Sequence, residues 1–125
     1  MTAVWVTTEL DLYARTLLVS APLLDKEAGK IVLQSSSDLR DGWKANAVVT
    51  AGAHGKHYPN SIESHMTGPL SAEIAPNPGK PQGGMSFEFG SRNQPPHLDG
   101  ERALQVEEPK FVSALELAAA KAMGA

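Results

Sequence analysis

The apolar residues of this chain change period twice, which narrows the folds open to it. Between about residues 8 and 53, Leu10, Tyr13, Leu17, Leu24, Ala28, Ile31, Leu39, Trp43 and Ala47 recur in steps of three, four, seven or eight. Those steps keep one face of a helix in register. Thr8, followed by Glu9 and Asp11, offers an N-cap and an acidic first turn. Pro22 interrupts the pattern. It either kinks the helix or, with Ser20 ahead of it, opens a second helix at its first turn. Gly29 and Gly42 weaken the interior without ending it. The zone is expected to form one long N-terminal helix or a kinked helix pair.

From about residue 58 the period drops to two. Ile62, Ser64 and Met66 alternate with Ser61, Glu63, His65 and Thr67. Gly68-Pro69 signals a turn, and Leu70, Ala72 and Ile74 then alternate with Ser71, Glu73 and Ala75. This predicts an antiparallel hairpin with one apolar face. The loop from Pro76 to Gly84 holds three prolines and three glycines in nine residues, so it is neither helix nor central strand. Met85, Phe87 and Phe89, alternating with Ser86 and Glu88, predict a third strand. Residues 58–90 are thus expected as an antiparallel meander of three or more strands.

Past the polar stretch Ser91 to Pro96, the helical period returns. Leu98 to Val106 predicts a short turn or helix with Asp99 near its start. Phe111, Ala114, Leu115, Ala118 and Ala122 predict an amphipathic C-terminal helix whose first turn holds Pro109. The order of helix, meander and helix gives an α+β class in one domain, 1–125.

Composition limits the chemistry. The 125 residues are 42% hydrophobic and 20% charged, a globular balance. A chain this size buries about two-thirds of its unfolded surface, which leaves a thin core that a partner can extend. Net charge is −3 with no block of Lys or Arg, unlike the clustered basic footprint of nucleic-acid binders. A mildly acidic wall is compatible with lining a channel that DNA passes through. The absence of cysteine removes disulfides, thiolate metal sites and cysteine nucleophiles. No basic n-region precedes the short apolar run Val4 to Val6, so no signal peptide is expected. No stretch approaches the roughly 20 apolar residues of a membrane span.

Four histidines are the first candidates for chemistry. His54 and His57 are three apart, with His65 and His97 further on. A metal-dependent enzyme would use His54, His57 and a third ligand among His65, His97 and Glu63. Against this, the pair lies in a loop-like stretch, Gly52 to Pro59, and no His-Glu-x-x-His pattern is present. Ser35-Ser36-Ser37 lacks a nucleophile-elbow setting. Gly79-Lys80-Pro81-Gln82-Gly83-Gly84 lacks the Gly-Lys-Ser/Thr ending of a phosphate loop, and reads as a flexible or partner-ordered loop. Glu107-Glu108 and the Asp38/Asp41 pair read as solvated helix charges. Glu88 reads as an exposed strand residue, or as one half of a salt bridge across subunits with Arg92 or Arg102. No catalytic residue, cofactor site or metal site is therefore assigned. The candidate subunit-interface residues are Glu88, Phe89, Arg92 and Arg102, with Pro76, Gly79, Lys80 and Gly84 of the loop.

Three short motifs in the last third resemble the tail-component family of tailed bacteriophages. These are Glu88-Phe89-Gly90-Ser91, Pro96-His97-Leu98 and Arg102-Ala103-Leu104, followed by the final helix from Phe111 to Met123. The family pattern has a Phe where His97 stands, and only Ser61-Ile62 of its first-strand entry is kept. The resemblance implies a neck, tail-completion or tail-terminator subunit, a structural protein without catalysis or cofactor. Such a subunit forms a ring, six copies being the expectation on the tail side. Its partners would be copies of itself and the neighbouring connector, stopper and tail proteins. DNA would pass only as cargo in the lumen. The expected place is the virion at the head-to-tail junction, after assembly in the host cytoplasm, with no membrane contact. The remaining alternative is a host-side binding module, an antitoxin or adaptor, whose long helix docks a partner helix.

Overall fold

A computed structural model describes residues 24–92 and 94–122. Its first helix, α1, is Leu24–Ala51. Ala28, Val32, Ser35, Ser36, Leu39, Trp43 and Ala47 are buried along it, one face at steps of three or four. Gly52 follows in a left-handed conformation, φ 62°, the usual glycine stop. Gly29 has a packing reason. A Cβ there would sit 3.1 Å from the Pro69 carbonyl oxygen, so the bare glycine lets a turn lie against the helix. The expected cap at Thr8, the break at Pro22 and the apolar positions Leu10, Tyr13 and Leu17 lie outside the described residues.

A short helix, α2 (Tyr58–Ser61), leads into β1 (Ile62–Gly68) and β2 (Ser71–Pro76). The strands pair antiparallel, Ile62 with Pro76, Ser64 with Ile74 and Gly68 with Ser71. Pro69 and Leu70 make the turn. Ile62, Ala72 and Ile74 are buried against the helices, as the alternation requires.

The sheet of the described residues has two strands, not three or more. Ser86–Phe89, expected as the third strand, is instead a helical turn, α3, with the Phe89 N–H bonded to the Met85 carbonyl at 2.9 Å. The burial pattern explains the choice. A strand would send Phe87 and Glu88 to opposite faces, whereas a helical turn sets neighbours about 100° apart. Phe87 stacks on Tyr58, with ring centroids 4.5 Å apart, and Glu88 is fully buried. Both residues therefore face the body of the molecule.

The last element, α4, is Asp99–Ala122, with Pro109 inside it. The sequence suggested a short element followed by a separate helix from Pro109. One stripe of Ala103, Leu104, Glu107, Phe111, Leu115 and Ala119 runs through both halves and is buried. Pro109 lies on the exposed side. A mid-helix proline costs about 3 kcal/mol. Burying Phe111 and Leu115 gives about 1.5–3 kcal/mol each, so the packed stripe carries the helix past the proline. α1 and α4 run antiparallel: Ser35 bonds Glu107, and Asn46 reaches the Asp99 carbonyl. Helix pair, hairpin and short turns enclose one core around Trp43, Tyr58, Ile62, Ile74, Phe111 and Leu115, an α+β architecture.

Candidate functional site

A buried polar cluster lies where α4 begins. Gly90, at φ 84°, turns the chain out of α3. Glycine is needed there because a Cβ would stand 2.8 Å from the Pro96 nitrogen. The segment then returns along α3, with the His97 N–H on the Phe87 carbonyl (2.9 Å) and the Leu98 N–H on the Glu88 carbonyl (3.1 Å). Leu98 adopts φ 54°, a left-handed conformation that costs a non-glycine residue about 1–2 kcal/mol. The two flanking backbone bonds hold it there.

That turn aims the start of α4 at Glu88. Oε1 of Glu88 accepts from the Gly100 N–H at 2.9 Å, and Oε2 from the Glu101 N–H at 3.0 Å. Burial pushes the Glu88 carboxyl above its usual range, opposed by those two bonds. Asp99 is also fully buried. Its carboxylate accepts from the Thr50 hydroxyl at 2.9 and 2.8 Å and from Arg102 Nη2 at 2.7 Å. A second Arg102 nitrogen donates to the His97 carbonyl. His97 Nδ1 is buried and has no hydrogen-bond partner among the described residues, lying 3.9 Å from Asp99 Oδ2. Beneath the cluster, Trp43 Nε1–H donates to the Tyr58 hydroxyl at 3.1 Å. Burial drives the Tyr58 phenol well above its ordinary value, with Glu88 and Asp99 adding to the shift. Gly100 lies on the Trp43 ring, where a Cβ would fall 2.8 Å from ring carbons.

This arrangement is a lock. The oxygens of both buried carboxylates are occupied by N–H and O–H donors of the chain itself. They tie α4 to α3 through Glu88 and to α1 through Thr50, and the Asn46 side chain adds a bond to the Asp99 main-chain carbonyl. Anionic groups at a helix N-terminus also interact favourably with its dipole.

The expected interface residues divide. Glu88 is neither exposed nor available for a salt bridge across subunits: it is buried and bonded to its own α4. Arg102 pairs with Asp99 rather than with Glu88. Pro76 is buried at the end of β2. Phe89 is 46% exposed, and Arg92, Gly79 and Lys80 are exposed, with Gly84 half-buried. The loop from Pro76 to Gly84, expected to be flexible or ordered by a partner, makes several bonds to its own chain. The Asn77 N–H bonds the Ser61 carbonyl at 2.7 Å, and Lys80 pairs with Glu63. Gln82 bridges the His57 N–H and the His54 carbonyl. Lys80 also holds the Glu63 carboxyl below its usual range.

His54, His57 and His65 are exposed while His97 is largely buried. Among the described residues, no three His, Asp or Glu side chains converge as a metal site. Sequence reasoning missed Asp99, Thr50 and Asn46 as partners. Asp99 was visible as an acidic residue at a helix start, but its link to α1, 49 positions back from Asp99 to Thr50, has no local signal. No protein-family model, curated protein or solved structure matches the chain.

Proposed function

We propose that this chain is a structural subunit of a tailed phage, one of about six copies in a ring that joins the head connector to the tail around the DNA channel. One observation carries the reading: the residues through which the chain resembles the tail-component family form a single device in space. Glu88 caps α4, Gly90 makes the turn, His97 and Leu98 bond back to α3, Arg102 clamps the turn, and Ala103 and Leu104 enter the core. Motif residues spread over seventeen positions thus share one scaffolding task, suited to a subunit that has to hold its shape under assembly contacts.

Ring contacts are assigned to the exposed members of the candidate set, Phe89, Arg92, Gly79 and Lys80. Among the described residues, the two-stranded sheet leaves strand edges unpaired, a common docking surface. Deleting the coding sequence from the phage genome tests the role. DNA-filled heads and tails that fail to join are expected, with joining restored by the wild-type chain and not by Phe89→Asp. Normal infectious particles from the deletion would overturn the proposal.

A further inference from the structure

Among the described residues, the α1–α4 pair has one covered side and one open side. The hairpin covers α1 where Gly29 meets Pro69 and Arg40 bonds Ser64. On another side, a groove runs between the helices. Near one end it holds about 470 Å³, lined by Glu27, Ile31, Ala114, Leu117 and Lys121 among others. Further along it holds about 490 Å³, with Asp38, Ala45, Ala103, Val106 and Lys110 in its wall. Val106 is 61% exposed and Leu117 57%. They are eleven residues apart, which places them on one helical face. The exposed rims carry opposite charge, Glu27, Asp38 and Asp41 on α1 and Lys110 and Lys121 on α4, while Glu107 of α4 lies buried in the groove wall, bonded to Ser35.

We infer that this face pairs with the same face of a second copy, about a two-fold axis parallel to the helices. The groove already sets Glu27 level with Lys121, and Asp38 level with Lys110. Rotation about that axis lays α1 of the second copy over α4 of the first without changing levels. Acidic rim then meets basic rim twice, Glu27 on Lys121 and Asp38 on Lys110. Ile31 comes over Leu117, and Ala45 over Val106. A two-fold axis across the helices would instead lay α1 on α1, acid on acid, which charge repulsion disfavours. A two-fold contact uses one face twice, whereas a ring joins two different faces. The pairing therefore stands apart from the ring reading.

A charge exchange tests it. Sedimentation velocity of the full chain over a range of concentrations should show a two-chain species. The double variant E27K/D38K and the double variant K110E/K121E, each with an unchanged circular dichroism spectrum, should pair at least ~tenfold more weakly alone. Mixed one to one, they should form a mixed pair of near wild-type affinity, because every rim contact is again opposite in sign. A wild-type chain that stays single at every concentration overturns the inference, whether residues 1–23 or another protein covers the groove. So does a two-chain species that both variants form as well as wild type. A larger ring whose mass survives both exchanges overturns the pairing while leaving the ring reading standing.

Discussion

Both oxygens of Glu88 are spent on backbone donors, Gly100 at 2.9 Å and Glu101 at 3.0 Å. A helix start leaves four N–H groups unpaired, and this one side chain from another element satisfies two. Glu88→Gln puts an amide NH2 against one of them and is expected to cost about 1–2 kcal/mol. Glu88→Ala strands both donors and opens a cavity, for about 2–4 kcal/mol. Urea denaturation midpoints measure each. The pH dependence has a definite sign. Burial raises the carboxyls of Glu88 and Glu107 above the ordinary 4.5, so the folded state favours their protonated forms. Their contribution is full below that ordinary value and lost as pH rises through the raised ones. Glu63, held low by Lys80, acts in the opposite sense, and its contribution is lost as pH falls through its lowered value. Stability is therefore expected to decline as pH rises from about 4.5 towards neutrality, and Glu107→Gln should flatten that slope in urea midpoints taken across the range.

The elements differ in how openly the sequence announces them. α1 was legible because Ala28, Leu39, Trp43 and Ala47 hold one period over many turns and are all buried. The hairpin was legible because Gly68-Pro69 stands between two alternating runs, and the observed register follows that turn. α3 was not, because Met85, Phe87 and Phe89 alternate over too few residues to separate strand from helical turn. Tertiary contacts decide it, through Phe87 on Tyr58 and Glu88 on α4. The unity of α4 was hidden by Pro109, whose local cost is outweighed by a stripe that becomes visible only when α1 is in place. The polar lock itself was out of reach, since Thr50 and Asn46 meet Asp99 by long-range packing. Pro109→Ala tests the balance at α4. It restores an N–H for the exposed Gln105 carbonyl and is expected to stabilise the protein by about 1–3 kcal/mol, read as a higher urea midpoint. A loss of stability would mean that the backbone constraint of the proline is needed for the fit to α1.

As a whole, the molecule is a small core with a locked helix start and several apolar side chains in solvent. Val49 is 82% exposed, Val48 66% and Leu33 54%, beyond the groove that holds Val106 and Leu117. A thin core with apolar surface left over suits a subunit completed by its neighbours. No helix among the described residues is long and apolar enough to cross a membrane; contacts with neighbouring chains are proposed to cover that surface. The central claim is that those contacts close a ring. Native mass spectrometry of the purified chain over a range of concentrations, alone and with its tail partners, followed by negative-stain imaging, tests it most directly. The account predicts a closed ring of about six chains with a central channel. A mass of one or two chains under every condition, with no ring on the grid, would contradict it.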